Sequence, residues 1–513
     1  MLFNSYAFIF GFLPIVLILF HLCSRISSRC AIGLLTLASL VFYALDSLSS
    51  LPILILSIIF NCIVGYYICT RKDHSGLTGP RALVTFGIVV NLAVLGTYKY
   101  ANLLIDAIDK VIVPLGLQSI PAVNIYLPAG ISFFTFTQIA YLVDCYRHRV
   151  SERNAVDYAL FVSFFPHLIA GPLLHHGNVI PQLKNIVAAS RDTRQISIGL
   201  AIFAIGLAKK ILLADNLAYY VDAVYKSIEM GLDPMLFVSW VAMLGYTFQI
   251  YFDFSGYSDM AIGLALFFGI TIPINFNSPY QATGIIEFWR RWHISLSNFL
   301  RDYLYIPLGG NRNGEARKYI NIFITMLIGG LWHGASWTFA LWGAIHGLLL
   351  FLNHASRRLF STLAVPKLIT WTFTFALVNL TWIVFRSPSW EIMEKVVRGV
   401  FGLNGISIPE GAGKASQLLL SLFPNVNYFG IWQGINGGMG STGTLEIGGL
   451  ILVSLVITVF MPNAVSLLLQ NERSAHFVQR AAKSRALGII IATLFWLSVM
   501  NFSKPSPFLY FRF

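Results

Sequence analysis

His333 stands inside a 38-residue stretch, Tyr319 to Ser356, that contains no Asp, Glu, Lys or Arg. Its setting is Gly329-Gly330-Leu331-Trp332-His333-Gly334-Ala335-Ser336-Trp337. A polar group in an apolar span is costly unless it has a partner or a task. A neutral imidazole there can take the proton of a hydroxyl, which is the first requirement of acyl transfer. The small residues Gly334 and Ala335 would leave room for a substrate to approach, and the apolar flanks would exclude water. The other account is a histidine satisfied by a neighbouring helix. Spacing alone leaves both open.

A second histidine lies upstream in Glu287-Phe288-Trp289-Arg290-Arg291-Trp292-His293-Ile294-Ser295-Leu296-Ser297, which continues to Arg301 and Arg312. This segment is too charged for a lipid-facing span and too apolar for a solvated loop. It suits the membrane interface or the wall of a polar cavity. His293 either assists proton transfer and orients an acceptor, or bonds helices together, with Trp289 and Trp292 arguing for packing. His346 reads as a polar contact inside the bundle, and His175 and His176 as interfacial residues. Asp253 and Asp259 flank Ser255-Gly256-Tyr257. Such carboxylates act directly or pair with an arginine such as Arg290, Arg291 or Arg301.

The elements that must hold these groups are membrane helices. Hydrophobic residues make up 56% of the 513 and charged residues 11%, against roughly 25% charged in soluble domains. Mean hydropathy is +0.70. Ser47 to Thr70, Ala82 to Tyr98, Leu368 to Phe385, Ile447 to Asn471 and Ala486 to Ser503 are all free of charge. Most can cross a hydrocarbon core of ~30 Å at ~1.5 Å per residue. The expectation is an all-α, polytopic membrane protein of about ten to twelve spans, with re-entrant or interfacial helices around a buried histidine. Pro and Gly between Lys184 and Asn298 mark where helices break. One membrane domain covers residues 1–513.

The net charge of +13 excludes nothing by itself, but the cations sit in short loops between alternate spans. That is the positive-inside pattern, not a nucleic-acid surface. Arg71 to Arg81, Arg147 to Arg153, Arg312 to Lys318 and Arg357 to Lys367 then face the cytoplasm. Both termini and the loop region 387–446 face outward, where a partner could dock. Tyr6 to Leu22 lacks a basic leader and an A-x-A site, so it reads as a retained span.

No H-E-x-x-H, C-x-x-C, G-x-S-x-G or Walker-type motif occurs, so no metal, nucleophilic serine or ATP coupling is expected. The five cysteines lie in or beside apolar spans and read as packing residues. No internal repeat supports a duplicated transporter, although a transporter or polymer channel without covalent chemistry is the rival class.

The R-R-W-H-I-S-L-S block around His293 and the later G-G-L-W-H-G block resemble the membrane-bound O-acyltransferase family, in particular its bacterial branch of alginate O-acetylation proteins. The resemblance extends through Leu127-Pro128-Ala129-Gly130-Ile131-Ser132-Phe133-Phe134, Phe164-Phe165-Pro166-His167-Leu168-Ile169-Ala170-Gly171-Pro172, Tyr251-Phe252-Asp253-Phe254-Ser255-Gly256-Tyr257-Ser258-Asp259 and Ser506-Pro507-Phe508-Leu509-Tyr510-Phe511. It implies that His333 is the catalytic histidine and His293 the second histidine of the pattern. It implies acetyl-CoA as a cytoplasmic donor substrate, with no permanently bound cofactor. Arg290, Arg291, Arg301 and Arg312 could meet the coenzyme A phosphates, or lipid headgroups. An exported polysaccharide, alginate- or cellulose-type, would be the acceptor, with an extracytoplasmic acetyltransferase as partner in the bacterial inner membrane.

Overall fold

The computed structural model describes residues 1–70, 79–150, 154–359, 365–406, 441–469, 485–502 and 508–509. The chain opens with α1 (Leu13–Ile26), α2 (Ser28–Asp46), α3 (Leu51–Thr70) and α4 (Pro80–Leu95). A π-helical turn, Gly96–Tyr100, joins α4 to α5 (Ala101–Ile112), and α6 (Ile131–Tyr146) follows. Short helices come next: α7 (Ala155–Ser163), α8 (Phe165–Leu168), α9 (His176–Leu183) and α10 (Ile186–Ala189). Then come α11 (Thr193–Ala208), α12 (Asp215–Glu229) and α13 (Leu236–Phe267). The block around His293 forms α14 (Ile285–Arg291) and α15 (Ile294–Leu300). The chain goes on as α16 (Gly314–His333), α17 (Trp337–Leu359), α18 (Lys367–Arg386), α19 (Trp390–Val400), α20 (Ser441–Phe460), α21 (Ala464–Leu469) and α22 (Arg485–Met500).

Among the described residues, seven helical segments are long and apolar enough to cross a membrane, and Glu446–Phe460 and Arg485–Met500 are shorter apolar helices. The long, more polar helices α13 and α16 join them in a polytopic bundle. Polar residues are affordable in α13 because protein rather than lipid surrounds it: nearly every residue from Ala242 to Phe267 is buried. Helices approach this closely only where small residues face each other. A Cβ on Gly206 of α11 would sit 2.6 Å from the Gly256 carbonyl of α13. One on Gly263 of α13 would sit 2.5 Å from the Gly199 carbonyl of α11.

That close pair corrects one expectation. Among the described residues, Asp253 and Asp259 pair with lysines and not with arginines. Lys210 Nζ lies 2.5 Å from Asp253 and 2.7 Å from Asp215, and Lys209 Nζ lies 2.6 Å from Asp259. Both lysines open the π-helical turn Lys209–Ala214 that extends α11 against α13. A cation on the neighbouring helix neutralises a buried carboxylate without drawing a guanidinium out of the membrane face.

The loop region 387–446 is also different in part. It contains the helix α19, which packs on α13 so closely that a Cβ on Gly399 would collide with Pro234 and Ser239. Residues 407–440 of that region lie outside the described residues. The expected breaks between Lys184 and Asn298 are present: α14 and α15 meet at His293, whose backbone is left-handed at φ 43°.

Candidate active site

α16 and α17 form an antiparallel hairpin, and His333 is the last residue of α16. Gly330 and Gly343 allow the two backbones to touch. The chain then breaks at Gly334, extended at φ −161°, and Ser336 caps α17 by accepting from the Thr338 amide at 3.3 Å. A side chain at Gly334 would collide with the Phe339 ring. The Phe339 ring therefore covers the face of Gly334 that a side chain would occupy. The open side is elsewhere: a cavity of about 380 Å³ lined by Asp46, Lys99, Tyr126, Ser132, Trp332 and His333. His333 itself is only 4% exposed. Beyond the break, a second cavity of about 380 Å³ is lined by Gly334, Ser336, Phe385, Arg386 and Leu509.

His293 comes to the same place from the other block. Its ring centroid is 6.3 Å from that of His333, and the rings are inclined at 59°. It is fully buried, with Phe254 edge-on at 4.6 Å. Its Nδ1 lies 3.2 Å from Asn275 Oδ1, which also accepts from the Ser295 amide at 3.2 Å and the Ser295 hydroxyl at 2.9 Å. A backbone N–H can only donate, so the Asn275 amide has one possible orientation. His293 must then carry its proton on Nδ1 and its lone pair on Nε2. Nothing in the spacing of the two residues, eighteen apart, signalled Asn275.

His346 has the opposite character. The Trp289 indole N–H donates to its Nδ1 at 3.2 Å, and its Nε2 lies 3.1 Å from Thr381 Oγ1. The Thr381 hydroxyl is used on Val378 O at 2.7 Å. Both ring nitrogens are committed, as the structural reading of this residue expected. His176 is buried within the protein at 5% exposure. His175 faces Tyr303, with Nδ1 at 3.1 Å from the hydroxyl.

Tyr303 begins a run of ring contacts toward His333. It stacks on His175 at 5.6 Å and packs on Phe299 at 5.0 Å. Phe299 stacks on Phe136 at 4.4 Å, Phe136 on Trp332 at 5.6 Å, and Trp332 meets His333 at 5.0 Å. At its far end Tyr303 donates to Asp144 at 2.8 Å, and the Arg147 guanidinium lies 5.6 Å from its ring. An apolar aromatic wall thus runs from Tyr303, beside Asp144 and Arg147, to the imidazole pair.

Of the four arginines, Arg301 lies at that charged end, where Arg147 donates to the neighbouring Asp302 carbonyl at 3.5 Å. Arg290 is exposed and lies with Lys318 and Arg357 within electrostatic reach of His354. Arg291 is bound to Glu287 at 2.8 Å and to the Asn277 carbonyl at 3.3 Å. Burial works against the Glu287 carboxylate, but hydrogen bonds from Thr283 and Arg291 outweigh it and hold its pKa below the usual value. Arg301 pairs with Asp302 at 2.7 Å, and Arg312 reaches the Ile306 carbonyl at 3.4 Å. Arg358 and Glu315, 2.6 Å apart, tie the end of α17 to the start of α16 at the same level. From Lys318 to His333 along α16 is about 22 Å at ~1.5 Å per residue.

Comparisons with known proteins identify the family of the chain. The model of the membrane-bound O-acyltransferase family matches residues 53–387. The chain is 41% identical over 450 residues to a peptidoglycan O-acetyltransferase of Helicobacter pylori, covering 82% of this chain and 83% of that one. It is 42% identical over 407 residues to the probable alginate O-acetylase AlgI of Azotobacter vinelandii, covering 78% of each. Against the probable alginate O-acetylase AlgI of Pseudomonas putida, identity is 36% over 529 residues and 100% of both chains. This chain belongs to the membrane-bound O-acyltransferase family and is a multi-pass membrane acyltransferase.

Proposed function

We propose that the chain takes acetyl from acetyl-CoA at its basic end and delivers it outward for O-acetylation of an exported polysaccharide. The observation that carries this reading is the position of His333. It closes the end of α16 opposite Lys318, lines an open cavity, and is reached by the aromatic wall that starts at Tyr303. Neutral His333 accepts the proton of the acceptor hydroxyl, and the hydroxyl oxygen bonds to the thioester carbonyl carbon. The carbon–sulfur bond then breaks, and the thiolate leaves and takes up the proton from the imidazolium. The phosphates of the donor would be held by Arg290 with Lys318 and Arg357, since Arg291 and Arg301 already have carboxylate partners.

The relatives are named for O-acetylation of peptidoglycan and of alginate, which supports a polymer acceptor, and cellulose-type polymers carry similar hydroxyls. The acceptor hydroxyl belongs either to the polymer or to an extracytoplasmic acetyltransferase that finishes the transfer. The cytoplasmic membrane of a bacterium supplies both sides that this route needs. Labelled acetyl-CoA offered to the purified protein, with each polymer and with a candidate partner, tests the reading. Label transfer that requires the protein supports it. Polymer or ion movement with no transfer points instead to a channel or transporter.

A further inference from the structure

An α-helix leaves its last carbonyls without intrahelical donors. The last three residues of α16 have theirs supplied by two consecutive side chains from another part of the chain. Tyr100 Oη donates to the Leu331 carbonyl at 2.8 Å. Lys99 Nζ donates to the Trp332 carbonyl at 2.7 Å and to the His333 carbonyl at 3.0 Å. Both residues close the π-helical turn Gly96–Tyr100, a widened turn of the kind that re-aims side chains at functional sites. After His333 the chain is extended, so no further helical turn holds the end of α16 in place.

We propose that Lys99 is a positioning residue: its ammonium pins the end of α16 and so fixes where the His333 imidazole stands in the outward cavity. The inference rests on the reading of His333 as the base. The ammonium has three N–H donors. The third is used on Ser132 Oγ at 3.3 Å, so none is left to grip a substrate, although Lys99 lines the cavity. Lys99 therefore acts through His333. All three acceptors are neutral oxygens, so no buried carboxylate explains the cation. The negative end of the helix dipole does, because a cation is stabilised against the C-terminal carbonyls of a helix. A methionine of similar length would fill the space and release both carbonyls.

The test uses the full-length protein in detergent, with acetyl transfer from acetyl-CoA as the readout. Lys99→Met is expected to lower kcat about 10²-fold, the scale of a small misplacement of a catalytic group. Donor KM should stay within about threefold, because no donor contact is lost. Lys99→Arg and Lys99→Gln, which keep donors for the carbonyls, should each recover about tenfold of that loss. A Lys99→Met kcat near wild type, a loss confined to KM, or Arg and Gln variants no better than Met would overturn the inference. Should the Met variant not accumulate, Lys99→Gln decides: kcat down about tenfold at unchanged donor KM supports it, and any other result overturns it. His333→Ala is run alongside, so a fully active His333→Ala indicts the base assignment rather than Lys99. If acetyl-CoA is not the donor, carbethoxylation of His333 by diethyl pyrocarbonate decides without catalysis. Its rate should rise several-fold in Lys99→Met and stay unchanged in Lys99→Arg, and an equal rate in the Met variant overturns the inference.

Discussion

His293 and His333 stand with ring centroids 6.3 Å apart, brought together from either side of a break in each of two helical blocks. His293 breaks α14 from α15 with a left-handed backbone, and His333 ends α16 before extended Gly334. Helix ends place side chains without a regular turn on both sides, which is how two imidazoles meet in an otherwise apolar bundle.

Asn275 sets the proton on His293, so Asn275→Ala should lower kcat about tenfold or more by freeing the tautomer. Asn275→Asp keeps the acceptor for Nδ1 and should lose less. Steady-state kinetics of both variants at matched folded protein check this, and an active Asn275→Ala enzyme would separate His293 from the chemistry.

His346 is a structural link. Its removal strands the Trp289 N–H and leaves Thr381 Oγ1 without its donor, at about 1–3 kcal/mol for each buried group. His346→Ala should therefore lower thermal stability while activity per folded molecule stays within about threefold. His346→Gln should retain more stability. A large activity loss in a fully stable His346→Ala protein would contradict this role.

Much of this was legible in the sequence, and the exceptions share a cause. The charge-free setting of His333 marked it, and the family motif joined it to His293. Lys99 was invisible because its partners are backbone carbonyls, which carry no residue signature. Asn275 was invisible because it serves a histidine on another segment. The carboxylates of α13 were seen, but the partners offered for them were arginines. A sequence reading pairs the strongest cations, whereas the fold pairs those on the adjoining helix, Lys209 and Lys210. Gly334 and Ala335 were read as room for a substrate; both line a cavity, although Phe339 covers one face of Gly334.

Close packing of α11 on α13 should tolerate no side chain at its crossing. Gly206→Leu puts carbon against the Gly256 carbonyl and should prevent accumulation of monodisperse folded protein. Gly448→Ala, with nothing within 4 Å of its added carbon, should be neutral. Size-exclusion profiles in detergent compare the two, and a well-folded Gly206→Leu protein would refute the tight crossing.

Arg290 is exposed, whereas Arg291 is held by Glu287. Arg290→Gln should weaken acetyl-CoA binding more than Arg291→Gln, and wild-type binding should weaken with added salt. Donor affinity at two ionic strengths measures both effects. Equal affinities in all three proteins would move the phosphate site away from α14.

The central claim is that His333 removes the acceptor proton. Acetyl transfer from labelled acetyl-CoA by wild type and His333→Ala, at equal levels of folded protein, tests it most directly. The account predicts a loss of about 10²-fold or more with donor binding intact. Transfer by His333→Ala at a rate close to wild type would contradict it.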